Sequence, residues 1–236
     1  MPDFDRYPFA IPAIRTLDEL DLDPKVTFFV GDNGSGKSTL LEAIAVGAGF
    51  NAEGGSRNFS FSTRSSESEL HRYLRIARGV RRRRDGFFLR AESYFNVGTE
   101  IEKFDHEPSF GPKIIASYGG RSLHEQSHGE SLLALAQNRW RGDGLYILDE
   151  PEAALSPNRQ LVFMRIMNKL VEKGGSQFIM STHSPILTAY PGAWIYEFTR
   201  EGLRRVAYED TEHYRVTRDF LNAREQCLER LFADDG

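Results

Sequence analysis

Residues 31–39 read Gly31-Asp32-Asn33-Gly34-Ser35-Gly36-Lys37-Ser38-Thr39, a full match to G-x-x-x-x-G-K-[ST], and few nine-residue stretches leave a chain so little choice of fold. Glycines let the backbone wrap closely, so that successive N–H groups point inward at a phosphate. A helix opening near Gly36 adds its positive end to the same place. In such a loop Lys37 reaches the β- and γ-phosphates of a nucleotide and the Ser38 hydroxyl ligates Mg²⁺. The alternative is a glycine-rich turn that only joins a strand to a helix. The flanking sequence favours the cradle: Lys25–Val30 (KVTFFV) is a buried-strand pattern, and Ser38–Ala48 follows a helical period with Leu41, Ile44, Ala45 and Ala48 on one side. Gly31, Asn33, Gly34, Ser35, Gly36, Lys37, Ser38 and Thr39 are therefore the expected phosphate-binding residues.

Strand and helix patterns alternate along the rest of the chain. Phe87–Ala91, Leu145–Leu148 and Gln177–Met180 are short apolar runs of the kind found in buried parallel strands. Leu70, Tyr73, Leu74 and Ala77 form a helical stripe, and Pro157–Val171 is an expected helix with Ser156 as N-cap. Trp194–Phe198 and Leu203–Tyr208 flank Thr199-Arg200-Glu201-Gly202 as a hairpin, and Glu212–Phe232 is expected to be helical. The fold class expected is α/β, a largely parallel sheet flanked by helices. At 236 residues one domain is the natural reading, with 1–65 and 140–236 as the core and 66–139 as a helical subregion.

Composition excludes several classes. No apolar run approaches the roughly 20 residues of a membrane span, and MPDFDRYPFA at the amino terminus has no signal-peptide pattern. The single cysteine, Cys227, permits no internal disulfide and fits a reducing, cytoplasmic setting. A net charge of −4 argues against a chain built as a polycation. Arg72, Arg75, Arg78 and Arg81–Arg84 do gather positive charge. That region is either a nucleic-acid or acidic-partner surface or a solvated face. The overall charge and the absence of interleaved aromatics favour the second.

Downstream, Leu145-Tyr146-Ile147-Leu148-Asp149-Glu150 is an apolar strand ending in two acids. Beside a phosphate loop, Asp149 is placed to hold the Mg²⁺ shell and Glu150 to act as general base on the attacking water. Taken alone, the pair could equally be solvated acids at a strand end. The next strand runs into Ser181-Thr182-His183-Ser184-Pro185, where His183 is placed to donate to the γ-phosphate or the water. A lone histidine is more often structural, so its claim rests on position. The expected catalytic residues are Glu150 and His183; the expected metal ligands are Ser38 and Asp149.

The order of these motifs resembles the ABC ATPase superfamily, and looks closest to its non-transporter branch, shared with the SMC and recombination-repair ATPases. The likeness is carried by Gly31–Thr39, Ser127-His128-Gly129-Glu130-Ser131, Asp149-Glu150-Pro151-Glu152-Ala153-Ala154-Leu155-Ser156 and Ser181–Pro185. It implies ATP and Mg²⁺ as ligands, ATP hydrolysis, and a head-to-tail homodimer with two ATPs between protomers. Ser127, Gly129 and Glu130 stand where the family carries its signature, usually L-S-G-G-Q. They would grip a γ-phosphate held by the partner, the other reading being an ordinary N-cap within one chain. Ala153-Ala154-Leu155-Ser156 is similar to the family's D-loop.

Two departures stand out. His128 replaces a customary glycine, and no glutamine occurs between Lys37 and Gln126, so the family's Q-loop residue is missing. Glu92 or Asn96 are the nominal substitutes, and Tyr7 and Phe9 the nominal adenine-stacking aromatics. About 90 residues separate Lys37 from Ser127, too few for a long coiled-coil arm. The expected function is a nucleotide-switched ATPase acting on an unidentified protein partner, in DNA maintenance or defence. The alternatives are a transporter's nucleotide-binding subunit, which should carry L-S-G-G-Q and a Q-loop glutamine, and a P-loop kinase with a substrate lid.

Overall fold

The β-branched and aromatic run that precedes the phosphate loop forms β1, Val26–Gly31, buried along its whole length. The computed structural model describes residues 2–56, 68–77, 79, 83–90 and 127–233. Among these, seven strands make one sheet in the order β2-β3-β4-β5-β1-β6-β7. They are β2 (Gly55–Ser56), β3 (Asp85–Arg90), β4 (Gly144–Asp149), β5 (Gln177–Ser181), β6 (Trp194–Thr199) and β7 (Gly202–Val206) around β1. β3, β4, β5, β1 and β6 run parallel; β2 and β7 are antiparallel at the two edges.

Each central strand is apolar on both sides because both faces of the sheet are covered. Val26, Phe28 and Val30 of β1 enter one core, together with Phe87 and Leu89, Tyr146 and Leu148, and Phe178 and Met180. Phe29, Phe88, Ile147 and Ile179, one residue out of step, enter the other. This is the period-2 alternation of a pleated strand. The chain contributes helices α1 (Pro12–Arg15), α2 (Lys37–Gly47), α3 (His128–Asn138), α4 (Pro157–Glu172), α5 (Pro185–Thr188), α6 (Glu212–Asn222) and α7 (Arg224–Ala233). On one face, α2 contributes Leu40, Leu41, Ile44 and Ala45. On the other, α3 and α4 contribute Leu132, Leu135, Phe163, Met167 and Val171. The fold is α/β, with a largely parallel sheet between helices. No described helix is long and apolar enough to cross a membrane.

Some local expectations are corrected and others are met. The stripe Leu70–Ala77 is not an α-helix but a single 3₁₀ segment, Glu69–Tyr73, ended by extended Leu74. The Ser68 hydroxyl accepts from the Leu70 amide at 3.3 Å, a local bond that competes with the helical pattern. The carboxy-terminal segment is helical as expected, in two pieces: Ala223 leaves helical geometry (φ −135°, ψ 43°) between α6 and α7. Neither helix buries a side chain that would hold a single axis. Ser156 does precede α4, but its side chain makes no capping bond. The strand expected over Phe87–Ala91 is β3, which joins the main sheet.

Of the basic segment, Arg78, Arg81 and Arg82 lie outside the described residues, as do Glu92 and Asn96. Arg83 is no solvated cation. It donates to the carbonyls of Gly175 and Pro24 and lies 3.9 Å from Asp143 Oδ1. Arg72 pairs with Glu69.

The foot of β4 is anchored by an aromatic stack. Trp140 lies on Tyr146 at 4.6 Å. The Tyr146 hydroxyl sits 2.5 Å from the Arg141 carbonyl and 3.1 Å from Asp85 Oδ2, and accepts from the Arg141 amide at 2.8 Å. Burial, then the Asp85 carboxylate, drives the phenol far above its usual range. Tyr146→Phe, which strands these partners, should cost about 1–3 kcal/mol of stability, read as a lower midpoint in urea titration with unchanged slope.

Candidate functional site

In an open parallel sheet, ligand groups collect where the carboxyl ends of the strands meet helix amino termini. Here β1 runs through Gly31 into the loop, and α2 starts at Lys37. Gly36 makes the turn possible. It has φ 101°, and a Cβ there would lie 2.8 Å from Ile11 Cγ2. Lys37 is buried, folded across the loop so that Nζ donates to the carbonyls of Gly31 and Asp32, both at 2.8 Å. Burial lowers its basicity, opposed by Glu150, Asp149, Asp32 and Glu152. Among the described residues Ser35 Oγ is buried without a hydrogen-bond partner, a donor left for a ligand.

In the sheet, β5 stands between β4 and β1. The gap is closed by side chains. Asp149 is level with Ser181, and Ser181 with Phe29, in the sheet register. The Ser181 hydroxyl donates to Asp149 Oδ1. The same oxygen accepts from Ser38 Oγ at 3.0 Å, so α2, β4 and β5 meet on one carboxylate. Burial raises the pKa of Asp149, partly offset by these two hydroxyls.

Glu150 follows in a left-handed conformation (φ 48°, ψ 54°), a position that costs a non-glycine residue roughly 1–3 kcal/mol. Its amide is held by Ser181, donating to the carbonyl at 3.1 Å and lying 3.2 Å from Oγ. The turn takes the side chain out of the strand line, and Oε1 comes to 3.2 Å from His183 Nε2. That contact is not aligned as a hydrogen bond, and Nε2 has no other partner among the described residues. The His183 amide donates to Glu152 Oε1 at 2.6 Å, and Nδ1 lies 2.9 Å from His213 Nε2. Burial raises the pKa of Glu152.

Ser127, Gly129 and Glu130 form a second constellation at the start of α3. Glu130 Oε2 accepts from the Ser127 amide at 3.1 Å and from its hydroxyl at 2.7 Å. Arg159 of α4 reaches both, 3.1 Å to Ser127 Oγ and 3.0 Å to Glu130 Oε1. The Ser127 bonds, foremost the hydroxyl, hold the Glu130 carboxyl below its usual pKa. Gly129 packs so tightly on the 3₁₀ segment Pro151–Ala154 that a Cβ there would lie 2.4 Å from the Ala154 carbonyl. The segment that follows Glu150 thus links the two constellations.

Of the nominal aromatics, Phe9 is buried in the core against Tyr73 and is unavailable for stacking. Tyr7 is 68% exposed, with its hydroxyl 3.2 Å from Thr39 Oγ1. Residue-level reading assigned no role to Ser181, Glu152, Arg159 or His213. The first two lie inside quoted motifs and were within reach. Arg159 and His213 lie in no motif, and only folding reveals them.

A family model described as an AAA domain matches residues 11–112, and one described as an AAA ATPase domain matches residues 131–188. Over these two stretches the chain is similar to AAA-type ATPase domains. The signature-like residues Ser127–Glu130 fall between the two matched stretches. Over 203 residues the chain is 26% identical to the Energy-coupling factor transporter ATP-binding protein EcfA2 of Mesoplasma florum. The match takes in 76% of the chain and 61% of that relative, so the chain spans about three-fifths of its length. Two solved structures are also similar. One is the dimeric structure of MJ0796, a bacterial ABC transporter cassette (TM-score 0.48, 16% identity, 81% of this chain and 89% of that one). The other is the dimeric post-hydrolysis state of the ATP-binding cassette MJ0796 bound to ADP and Pi (TM-score 0.47, 15% identity, the same coverages).

A buried carboxylate whose pKa is raised on folding destabilises the folded state above its unfolded pKa, and the penalty vanishes as pH falls. Asp149→Asn keeps an acceptor for both serines without the charge. Its thermal midpoint at pH 7 should exceed the wild type's by a few degrees, and the gap should close as pH falls toward about 4, the ordinary aspartate value. Melting curves of both proteins across that range check the sign.

Proposed function

We propose that this domain hydrolyses ATP with Mg²⁺ and that two copies close head to tail around the nucleotides. The observation that carries the reading is the junction of Ser38 Oγ and Asp149 Oδ1, 3.0 Å apart, beside a folded-back Lys37. These are hard oxygen donors, and among the described residues no group of three or more His, Cys, Asp or Glu could hold a metal alone. Such a pair suits Mg²⁺, which relies on one or two protein oxygens together with substrate phosphates and water. When bound, Mg²⁺ neutralises charge developing on the β- and γ-phosphate oxygens.

The chain's own residues do the rest. Loop amides and Lys37 hold the phosphates; Lys37 exchanges its two carbonyl acceptors for phosphate oxygens. Glu150 orients a water and takes its proton as the water oxygen bonds to the γ-phosphorus. The bond from that phosphorus to the β-phosphate oxygen breaks, giving ADP and phosphate. His183 Nε2, buried and without a hydrogen-bond partner among the described residues, donates to the γ-phosphate. Tyr7, exposed beside Thr39, is the candidate for stacking on adenine. Ser127, Gly129 and Glu130 cap the partner's γ-phosphate, and Ser127 Oγ must first leave Glu130 and Arg159. Rigid packing of Gly129 on Ala154 supplies a route from that grip to Glu150.

A non-transporter role, with any lever on another chain, is favoured by the missing Q-loop glutamine and the Ser-His-Gly-Glu signature. The second reading, a transporter's nucleotide-binding subunit, is favoured by the likeness to EcfA2. Co-purification with a membrane protein would decide for it.

Lys37→Ala should abolish ATP binding, measured by calorimetry. Glu150→Gln should still bind ATP while turnover without any added acceptor falls by about 10²–10⁴-fold, the usual weight of a general base. Light scattering after size exclusion should show Glu150→Gln as a dimer with Mg-ATP and a monomer without it. Wild-type turnover by this variant would remove Glu150 from its role, and a monomer under all conditions would remove the closed dimer.

A further inference from the structure

His213 has no place in the phosphate loop, the acid pair or the signature. It lies on the first turn of α6, thirty residues beyond His183. That turn is tied down beside the histidine strand end. Tyr208 OH donates to the Pro185 carbonyl at 2.9 Å, and Thr211, almost wholly buried, donates to the Tyr208 carbonyl at 2.8 Å. The imidazoles of His183 and His213 meet edge to face, centroids 4.9 Å apart and planes at 68°, with Nδ1 of the first 2.9 Å from Nε2 of the second.

Two nitrogens at that distance share one proton, and the surroundings decide who gives it. His183 Nε2 lies 3.2 Å from the Glu150 carboxylate. A lone pair there would face an anionic acceptor, so the proton of a neutral His183 belongs on Nε2. Nδ1 is then the acceptor, and the other ring must donate. His213 is suited to that. Burial, then His183, and more weakly Lys37, push its pKa down, against Glu212 and Asp32, leaving a neutral ring with one N–H. The hydrogen bond made by one ring nitrogen sets what the other can do.

We propose that His213 is a positioning residue: its Nε2–H holds His183 in the Nε2-protonated tautomer, leaving Nε2–H beside Glu150 free to donate to the γ-phosphate. The proposal rests on the role given to His183 above. It makes the amino-terminal turn of α6 part of the catalytic apparatus, although it touches the phosphate site through a neighbouring ring.

The test has two independent readouts. Long-range ¹H–¹⁵N correlation spectra of the histidine-labelled, nucleotide-free protein report the His183 tautomer without any turnover. Wild type should show Nε2 protonated and Nδ1 bare; His213→Phe, which keeps a ring but no donor, should show a mixture. A wild-type His183 protonated on Nδ1 overturns the proposal. In steady-state ATP hydrolysis, His213→Phe should lower kcat by roughly 10- to 100-fold, the scale on which loss of a histidine's orienting partner is felt, with KM changed less than about threefold. His213→Gln, whose amide can donate, should recover most of the loss. Unchanged kcat in His213→Phe, or equal loss in both variants, counts against it. If wild type hydrolyses no ATP, the functional reading fails and the spectra still decide the tautomer. Should His213→Phe not fold, the wild-type and His213→Gln spectra serve the same purpose.

Discussion

One buried carboxylate oxygen, Asp149 Oδ1, organises the site. It accepts from Ser38 at the start of α2 and from Ser181 at the end of β5. It therefore sets the distance between the phosphate loop and the strand that carries the acids. Without those hydroxyls a charge so buried would be costly. With them, the cost becomes a constraint: three elements from distant parts of the chain must converge to satisfy it. The strain at Glu150 follows, because the residue after Asp149 must turn sharply once Ser181 has captured its amide. Strained backbone of this kind clusters at active sites and ligand clamps.

Around that centre the polar network is a chain of orienting contacts. Glu152 takes the His183 amide, Glu150 faces one ring nitrogen, and His213 takes the other. Each acid in the Asp149-Glu150-Pro151-Glu152 stretch has a distinct partner, which is how three carboxylates coexist within four residues. Burial raises Asp149 and Glu152, while Lys37 supplies the compensating charge.

The signature-like turn is bound within its own chain in this structure, through Glu130 and Arg159. On the proposed dimer reading, ATP must compete with an internal salt bridge whose side chains are 37% and 54% exposed. Pairs so exposed are worth about 1 kcal/mol or less, so the lock is light enough for a triphosphate to open.

Much of this was legible in the residues. The phosphate loop, the acid pair and the histidine strand end are local patterns. A glycine-rich turn after an apolar strand, or two acids closing one, has its chemistry written into residue type and spacing. The alternating burial of Val26, Phe28 and Val30 against Phe29 likewise needs only the pleat. Order across the sheet was another matter: β5 comes between β4 and β1, so Ser181 had to become the bridge. Arg159 and His213 have no spacing that marks them, and the break at Ala223 has no breaker residue. Their roles arise from pairings between residues far apart in sequence, and those are decided by how helices settle on a finished sheet.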